Sequence, residues 1–234
     1  MLKKLEILPG NDYLTGKLLL FDKPFEWTSF DLVHKVRYEL KRKYGFRKIK
    51  VGHAGTLDPL ATGLMIICTG KFTKDIQRYQ DLKKEYIATI KVGETTPSFD
   101  LESKVDEVYP VAHIDENKLK RVLESFIGEQ EQLPPVFSAK NIDGVRAYEY
   151  ARRGEDVKLT PKRINLFEIE LLRFQLPEFS IRVICSKGTY IRALARDIGV
   201  ALQSGAHLTG LRRTVVGNYK LSEAMSFEEF KKII

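Results

Sequence analysis

The chain reads as an α+β protein with a mixed, mostly antiparallel central sheet flanked by helices and loops. Strand-like and helix-like segments are intermingled without a strict βαβ rhythm. Two strand-like runs, 163–174 and 179–185, follow one another directly. Hydrophobic residues make up 43% of the 234 positions and charged residues 30%, which is enough apolar surface for at least one large core. No Pro/Gly/Ser linker marks a boundary, so the expectation is one domain over 1–234 with a loop-rich insertion at about 129–161.

Gly16 to Asp22 is a short buried strand that Pro24 ends by removing a ladder donor. Thr28 or Ser29 caps a helix on which Leu32, Val33, Val36 and Leu40 recur at three- and four-residue spacing, and Gly45 is placed as its left-handed terminator. A Gly-rich loop spans 52–63, followed by a strand from Leu64 to Cys68 and a helix over 74–82. Tyr86, Ala88, Ile90 and Val92 alternate, so they share one face of a strand. Asp115 caps a helix striped by Leu119, Val122, Leu123 and Phe126, with Gly128 as its stop. A short helix fits 148–153, and Thr189 opens a helix marked by Ile191, Leu194, Ala195, Ile198 and Leu202. Ser226 and Glu229 form a capping box for a last helix to Ile234.

Several chemistries lack their residue spacings. There is no P-loop, GxGxxG or GxSxG, and the four histidines have no HxxxH or CxxC partner, so neither a metal nor a nucleotide cofactor is expected. Cys68 and Cys185 lie in short apolar runs and read as buried reduced thiols. The N-terminus lacks the features of a signal peptide, and no apolar stretch approaches a membrane span, so a cytoplasmic protein is expected.

The net charge is +8, and its placement is informative. Between Lys35 and Lys50 eight cations, Lys41, Arg42 and Lys43 among them, face only Glu39. A solvated helix face is one reading of this run, and a phosphate-tracking surface is the other. Tyr38, Tyr44 and Phe46 interleave the cations and favour the second.

Asp58 sits between Gly55 and Gly63 and directly before Pro59, which biases it toward an extended backbone. By itself an Asp-Pro pair is usually a turn. The whole loop, Gly52-His53-Ala54-Gly55-Thr56-Leu57-Asp58-Pro59-Leu60-Ala61-Thr62-Gly63, resembles the catalytic signature of the TruB-type tRNA pseudouridine-55 synthases. The resemblance continues in order at Leu18 to Pro24, Lys84-Glu85-Tyr86, Leu133 to Lys140, Tyr148 to Arg152, Cys185 to Arg192, Gly205 to Leu208 and Leu211-Arg212-Arg213.

What this resemblance implies is a pseudouridine synthase fold and an enzyme that isomerises uridine 55 in the tRNA T-loop without a cofactor. Asp58 matches the essential aspartate, Tyr86 the aromatic residue that stacks on the target base, and Arg192 the arginine that pairs with the aspartate. His53 matches a histidine set against the flipped-out bases, and Lys23-Pro24 a motif that supports the floor of the site. For Lys23 and for Tyr190, beside the arginine, binding and purely structural roles both stand. Lys41, Arg42, Lys43, Lys140, Arg152 and Arg153 are the expected backbone-binding cations. The partner implied is the tRNA T-arm, bound by a monomer without a membrane or a guide RNA. A nucleophilic attack on the ribose and a glycal route remain equally open for the carboxylate.

Two departures from the family pattern stand out. Pro97 and Phe99 interrupt a stretch that is acidic and glycine-ended in the family, which leaves the role of Asp100 open. The chain also ends at Ile234, without the C-terminal PUA domain of many relatives, so either affinity comes from the catalytic domain itself or the sequence is a truncated form. The rival functions are a tRNA-binding or tRNA-folding protein with little turnover and, more remotely, a guide-RNA-dependent synthase.

Overall fold

The computed structural model describes residues 10–135, 141–142, 145–146 and 159–234. They fall into two compact units, one drawn from 1–82 and 212–234, the other from 83–211.

The first unit opens with α1 (Asn11–Thr15), which the sequence does not announce, and β1 (Leu18–Lys23). α2 (Ser29–Tyr44) begins at a reciprocal cap: the Asp31 amide donates to the Thr28 hydroxyl oxygen, and the Thr28 amide donates to the Asp31 carboxylate. It ends at Gly45, whose φ of 68° is left-handed. Leu32, Val33, Val36 and Leu40 are buried as their spacing predicts. β2 (Val51–His53) and β3 (Ala61–Thr69) trim the expected loop from both ends. β3 pairs antiparallel with β1, from Leu18 opposite Cys68 to Lys23 opposite Gly63, and with β2. The helix expected over 74–82 is a 3₁₀ turn, Gly70–Asp75, followed by α3 (Ile76–Gln80). Amides of Asp81 and Leu82 bond back to Gln77 and Tyr79 and close α3 early, and Leu82 packs on the core of Ala54, Leu64, Ile66, Cys68 and Val216.

The second unit is built on a four-strand antiparallel ladder. β4 (Lys84–Val92) buries Tyr86, Ala88, Ile90 and Val92 on one face, as their alternation predicts. Next come the short pair β5 (Glu94–Thr95) and β6 (Glu107–Val108), then α4 (Glu116–Ser125), capped by the Asp115 carboxylate on the Lys118 amide. α4 stops at Phe126, and Gly128 instead opens β7 (Gly128–Gln132) with φ 114°. The start of the supposed insertion is thus an edge strand, and its Glu-Gln-Glu-Gln sequence has no apolar face to reveal it. β8 (Asn141–Ile142) pairs with β9 (Val145–Arg146). The helix expected at 148–153 and the candidate cations Lys140, Arg152 and Arg153 lie outside the described residues.

β10 (Lys162–Gln175) pairs with β7 on one side and with β11 (Glu178–Cys185) on the other, and β11 pairs with β4. α5 (Ile191–Ala201) starts two residues later than expected, because the Thr189 hydroxyl donates to the Ser186 carbonyl instead of capping the helix. α4 and α5 pack on each other and on the ladder. β12 (Ala206–Val216) carries the chain from the second unit back into the first. The sequence hides this strand, because Gly210, Arg212 and Arg213 interrupt any apolar alternation. β13 (Tyr219–Lys220) turns back on β12. α6 (Phe227–Ile233) follows the Ser226/Glu229 capping box, and Phe230 meets Phe21 edge-on at 5.3 Å. Within the first unit an isolated parallel bridge between Phe21 and Met225 adds to the antiparallel pairing, in keeping with the mixed, mostly antiparallel sheet that was expected.

Candidate active site

In the first unit the Asp58 loop is the connection between β2 and β3, and hydrogen bonds fix it on both sides of the aspartate. The Leu57 amide donates to Ser29 Oγ at 2.8 Å, and the same hydroxyl donates to the Leu57 carbonyl at 2.9 Å. Both residues are buried. The Pro59 carbonyl accepts from the Glu26 amide at 2.9 Å, and the Asp58 carbonyl from the Ala61 amide at 3.1 Å. Asp58 itself is half-buried. These bonds fix the backbone on both sides of the aspartate.

Two buried cations lie beneath this loop. Lys23 is fully buried, and its three ammonium donors find three carbonyls: Pro24 at 2.9 Å, Trp27 at 2.5 Å and Pro59 at 3.3 Å. Burial pushes its pKa down to about 8; the Asp58 charge is the largest opposing influence, and Arg213 adds to the fall. Lys23 is therefore a protonated electrostatic neighbour of Asp58 at neutral pH. Arg213, only 1% exposed, donates to the carbonyls of Leu64 at 2.7 Å, Gly55 at 3.1 Å and Thr56 at 3.5 Å. Gly63 permits this approach: its φ is 106°, and a Cβ there would lie 2.3 Å from the Arg213 carbonyl oxygen. His53 closes β2, and burial, followed by the Arg213 charge, lowers its pKa; the nearby Gly55 backbone opposes this. The imidazole is neutral at pH 7, and its buried Nδ1 has no partner of hydrogen-bonding geometry among the described residues.

In the second unit Tyr86 stands in β4 opposite Val183, with 8% of its surface exposed. Arg192 is the second residue of α5 and is buried; its Nη1 donates to the Ser98 carbonyl at 3.1 Å, and its Nε lies 3.5 Å from an Asp100 carboxylate oxygen. The other Asp100 oxygen accepts from Ser98 Oγ at 2.6 Å and from the Glu102 amide at 3.0 Å. Asp100, left without a role by the sequence, is thus a counter-charge of Arg192 inside a turn. Tyr190 caps α5, and its backbone is held from both sides by the Gln132 side chain, which accepts from the Tyr190 amide at 2.8 Å and donates to its carbonyl at 3.1 Å.

Within the first unit, then, His53 and Asp58 sit on one clamped segment with Lys23 of β1 bonded beneath it, and Arg192 and Tyr190 share the start of α5 in the second. Lys41, Arg42 and Lys43 are exposed in the last turn of α2, where Arg42 is bound to Glu39 at 2.7 Å and all three complement the negative end of the helix dipole. Sequence reasoning missed the clamp role of Arg213 and the brace supplied by Gln132. The first had a signal, an Arg-Arg pair inside the recognised Leu211-Arg212-Arg213 segment; the second had none. Among the described residues no group of three or more His, Cys, Asp or Glu is arranged to hold a metal ion.

Comparison with known proteins matches the chain along nearly its whole length. Residues 41–191 match the model of the TruB family pseudouridylate synthase N-terminal domain, and 192–234 that of the tRNA pseudouridylate synthase B C-terminal domain. The chain is 61% identical over 219 residues to tRNA pseudouridine synthase B of Phocaeicola vulgatus, covering 94% of this chain and 93% of that one. It is 60% identical to the protein of the same name from Parabacteroides distasonis, over 93% of each. Among solved structures, a chain of a Cbf5–Nop10–Gar1 complex superposes with a TM-score of 0.72 at 27% identity, over 96% of this chain and 56% of that one.

Proposed function

The chain belongs to the TruB family of pseudouridylate synthases, and from that premise we propose that it isomerises uridine 55 in the T-loop of tRNA to pseudouridine, with Asp58 as its catalytic carboxylate. The observation that carries this reading is the construction of the Asp58 loop. Leu57, Asp58 and Pro59 are each fixed through the backbone, and a buried ammonium bonded to the Pro59 carbonyl feels the charge of the carboxylate.

The reaction breaks the N1–C1′ bond of uridine, rotates the uracil, and joins C5 to the same ribose carbon. The C5 proton leaves to solvent and N1 regains a proton, so substrate and product are isomers and no electrons are exchanged. A carboxylate is sufficient for the difficult step, either by attack on the ribose or by removing a ribose proton to give a glycal. A base within a folded T-loop is out of reach, so it must be extruded at a cost of a few kcal/mol. Stacking on Tyr86 returns about 1–3 kcal/mol of that. Arg192 serves as the arginine of the catalytic carboxylate, and neutral His53 offers a flat, uncharged edge to neighbouring extruded bases. Lys23 supports the floor, Tyr190 sets the start of α5, and Lys41 and Lys43, with Lys140, Arg152 and Arg153, track phosphates. The protein acts as a cytoplasmic monomer on the T-arm, without a guide RNA.

Replacing Asp58 by Asn keeps the loop's backbone bonds and removes the charge. Binding of an unmodified tRNA transcript should stay within about threefold of wild type, while tritium release from 5-tritiated uridine falls about 10⁴-fold or more. Wild-type turnover by this variant would remove Asp58 from the mechanism. Tight binding by the wild type with no release at all would favour a tRNA-folding protein.

A further inference from the structure

At the C-terminal end of α2, on the first unit, is a surface cavity of about 660 Å³ of whose lining the proposed function uses only Lys43. Leu14, Lys43, Tyr44, Phe46, Arg47 and Lys48 line it, and none of the described residues lining it is acidic. Lys43, Arg47 and Lys48 are exposed, and none is held in an ion pair among the described residues. The wall is aromatic. Tyr13, Tyr44 and Phe46 form a column with ring centroids 5.7 and 5.5 Å apart, and the Tyr44–Phe46 pair is stacked at 29°. Phe46 ends this column and is half-exposed.

We propose that this cavity is a second RNA-binding site, in which one nucleotide of the substrate RNA stacks its base on Phe46 and sets its phosphate among Lys43, Arg47 and Lys48. The inference rests on the proposed action on tRNA. A volume of 660 Å³ is within the range of pockets that hold small organic ligands, and a nucleotide fits it. A purely electrostatic patch needs no aromatic column, and an apolar peptide groove would not be ringed by three cations. Aromatic faces that accept any base beside cations that take the backbone are the usual means of holding an unpaired nucleotide. The carbonyl end of α2 opposes an anion here with only about half a unit charge, against three full positive charges.

The test uses the full chain, an unmodified tRNA transcript, and fluorescence anisotropy over a salt series. Phe46→Ala should weaken binding about tenfold or more with the salt slope unchanged, and Phe46→Trp should retain wild-type affinity. The double variant Arg47→Gln/Lys48→Gln should lower the log–log salt slope by about 0.7–1.8, according to whether one or both cations face phosphate. In every variant kcat at saturating RNA stays at the wild-type value, because none of these residues is assigned to the chemistry. Unchanged affinity in both Phe46→Ala and the double variant overturns the site. So does a loss in Phe46→Ala that Phe46→Trp does not restore, since that marks a packing residue. A wild-type protein that binds but does not isomerise would defeat the proposed function while leaving these binding differences intact.

Discussion

Lys23 is a charged side chain with no exposed surface, and its protonation can be read as stability. Its pKa falls from 10.5 to about 8 on folding, chiefly through burial. Below pH 8 both folded and unfolded chains carry the proton, and above 10.5 neither does. Between these limits the unfolded chain binds more protons, so folding gains on unfolding as the pH rises. Comparison with Lys23→Met cancels the other titrating groups. The stability of wild type relative to this variant should therefore rise between pH 8 and 10.5, by at most about 1.4 kcal/mol per pH unit. Urea unfolding at pH 7 and pH 9.5 checks this, and a difference that does not change with pH would mean that the lysine keeps an ordinary pKa. The same residue shows how far sequence could go. The match at Lys23-Pro24 implied a supporting role, but the three carbonyls that receive its donors come from the bends of the chain at 24, 27 and 59 and were not legible.

At the scale of elements, what was legible followed from local chemistry. α2, α4 and α6 were readable because their caps bond within three residues and their apolar stripes repeat at helical spacing. β4 was readable from its alternation. β7 and β12 were not, because neither carries an apolar face in its own sequence: β7 is polar along an edge, and β12 buries His207 and Arg213 where a pattern reading would look for aliphatics. The junction of β3 with the aspartate loop is tightly constrained. Gly63→Ala would put a methyl group at φ 106° and 2.3 Å from the Arg213 carbonyl oxygen, which is a backbone atom and cannot swing aside. The loss should exceed about 3 kcal/mol through strain and displacement of β12. Thermal denaturation checks this, and a change under 1 kcal/mol would show that the two strands can part without harm to the loop.

For the molecule as a whole, the net charge of +8 predicts binding that weakens with salt, but the structure divides the basic run unevenly. Arg37 is turned inward to the Val51 carbonyl at 2.9 Å, and Arg42 is bound through two nitrogens to Glu39. Of the triplet, Lys41 and Lys43 hold no ion pair among the described residues, so on the proposed function they are the two that would meet phosphate. Replacing Lys41, Arg42 and Lys43 together by Ala should lower the salt slope of tRNA binding by about 1.4–1.8, rather than by three phosphates' worth. Titration between 50 and 300 mM salt measures it, and an unchanged slope would return the run to a solvated helix face.

The path of the chain also sets an order of events during synthesis. The first unit is interrupted by the whole of the second, and its aspartate loop is held by Arg213, which lies 158 residues after Gly55. At about 5–20 residues per second the ribosome takes roughly 8–30 s to add that stretch. Throughout that interval the nascent loop lacks its clamp, and the last strand and helix that complete the unit have yet to emerge. The Asp58 carboxylate is thus among the earliest parts of the protein to be made and among the last to be set in place.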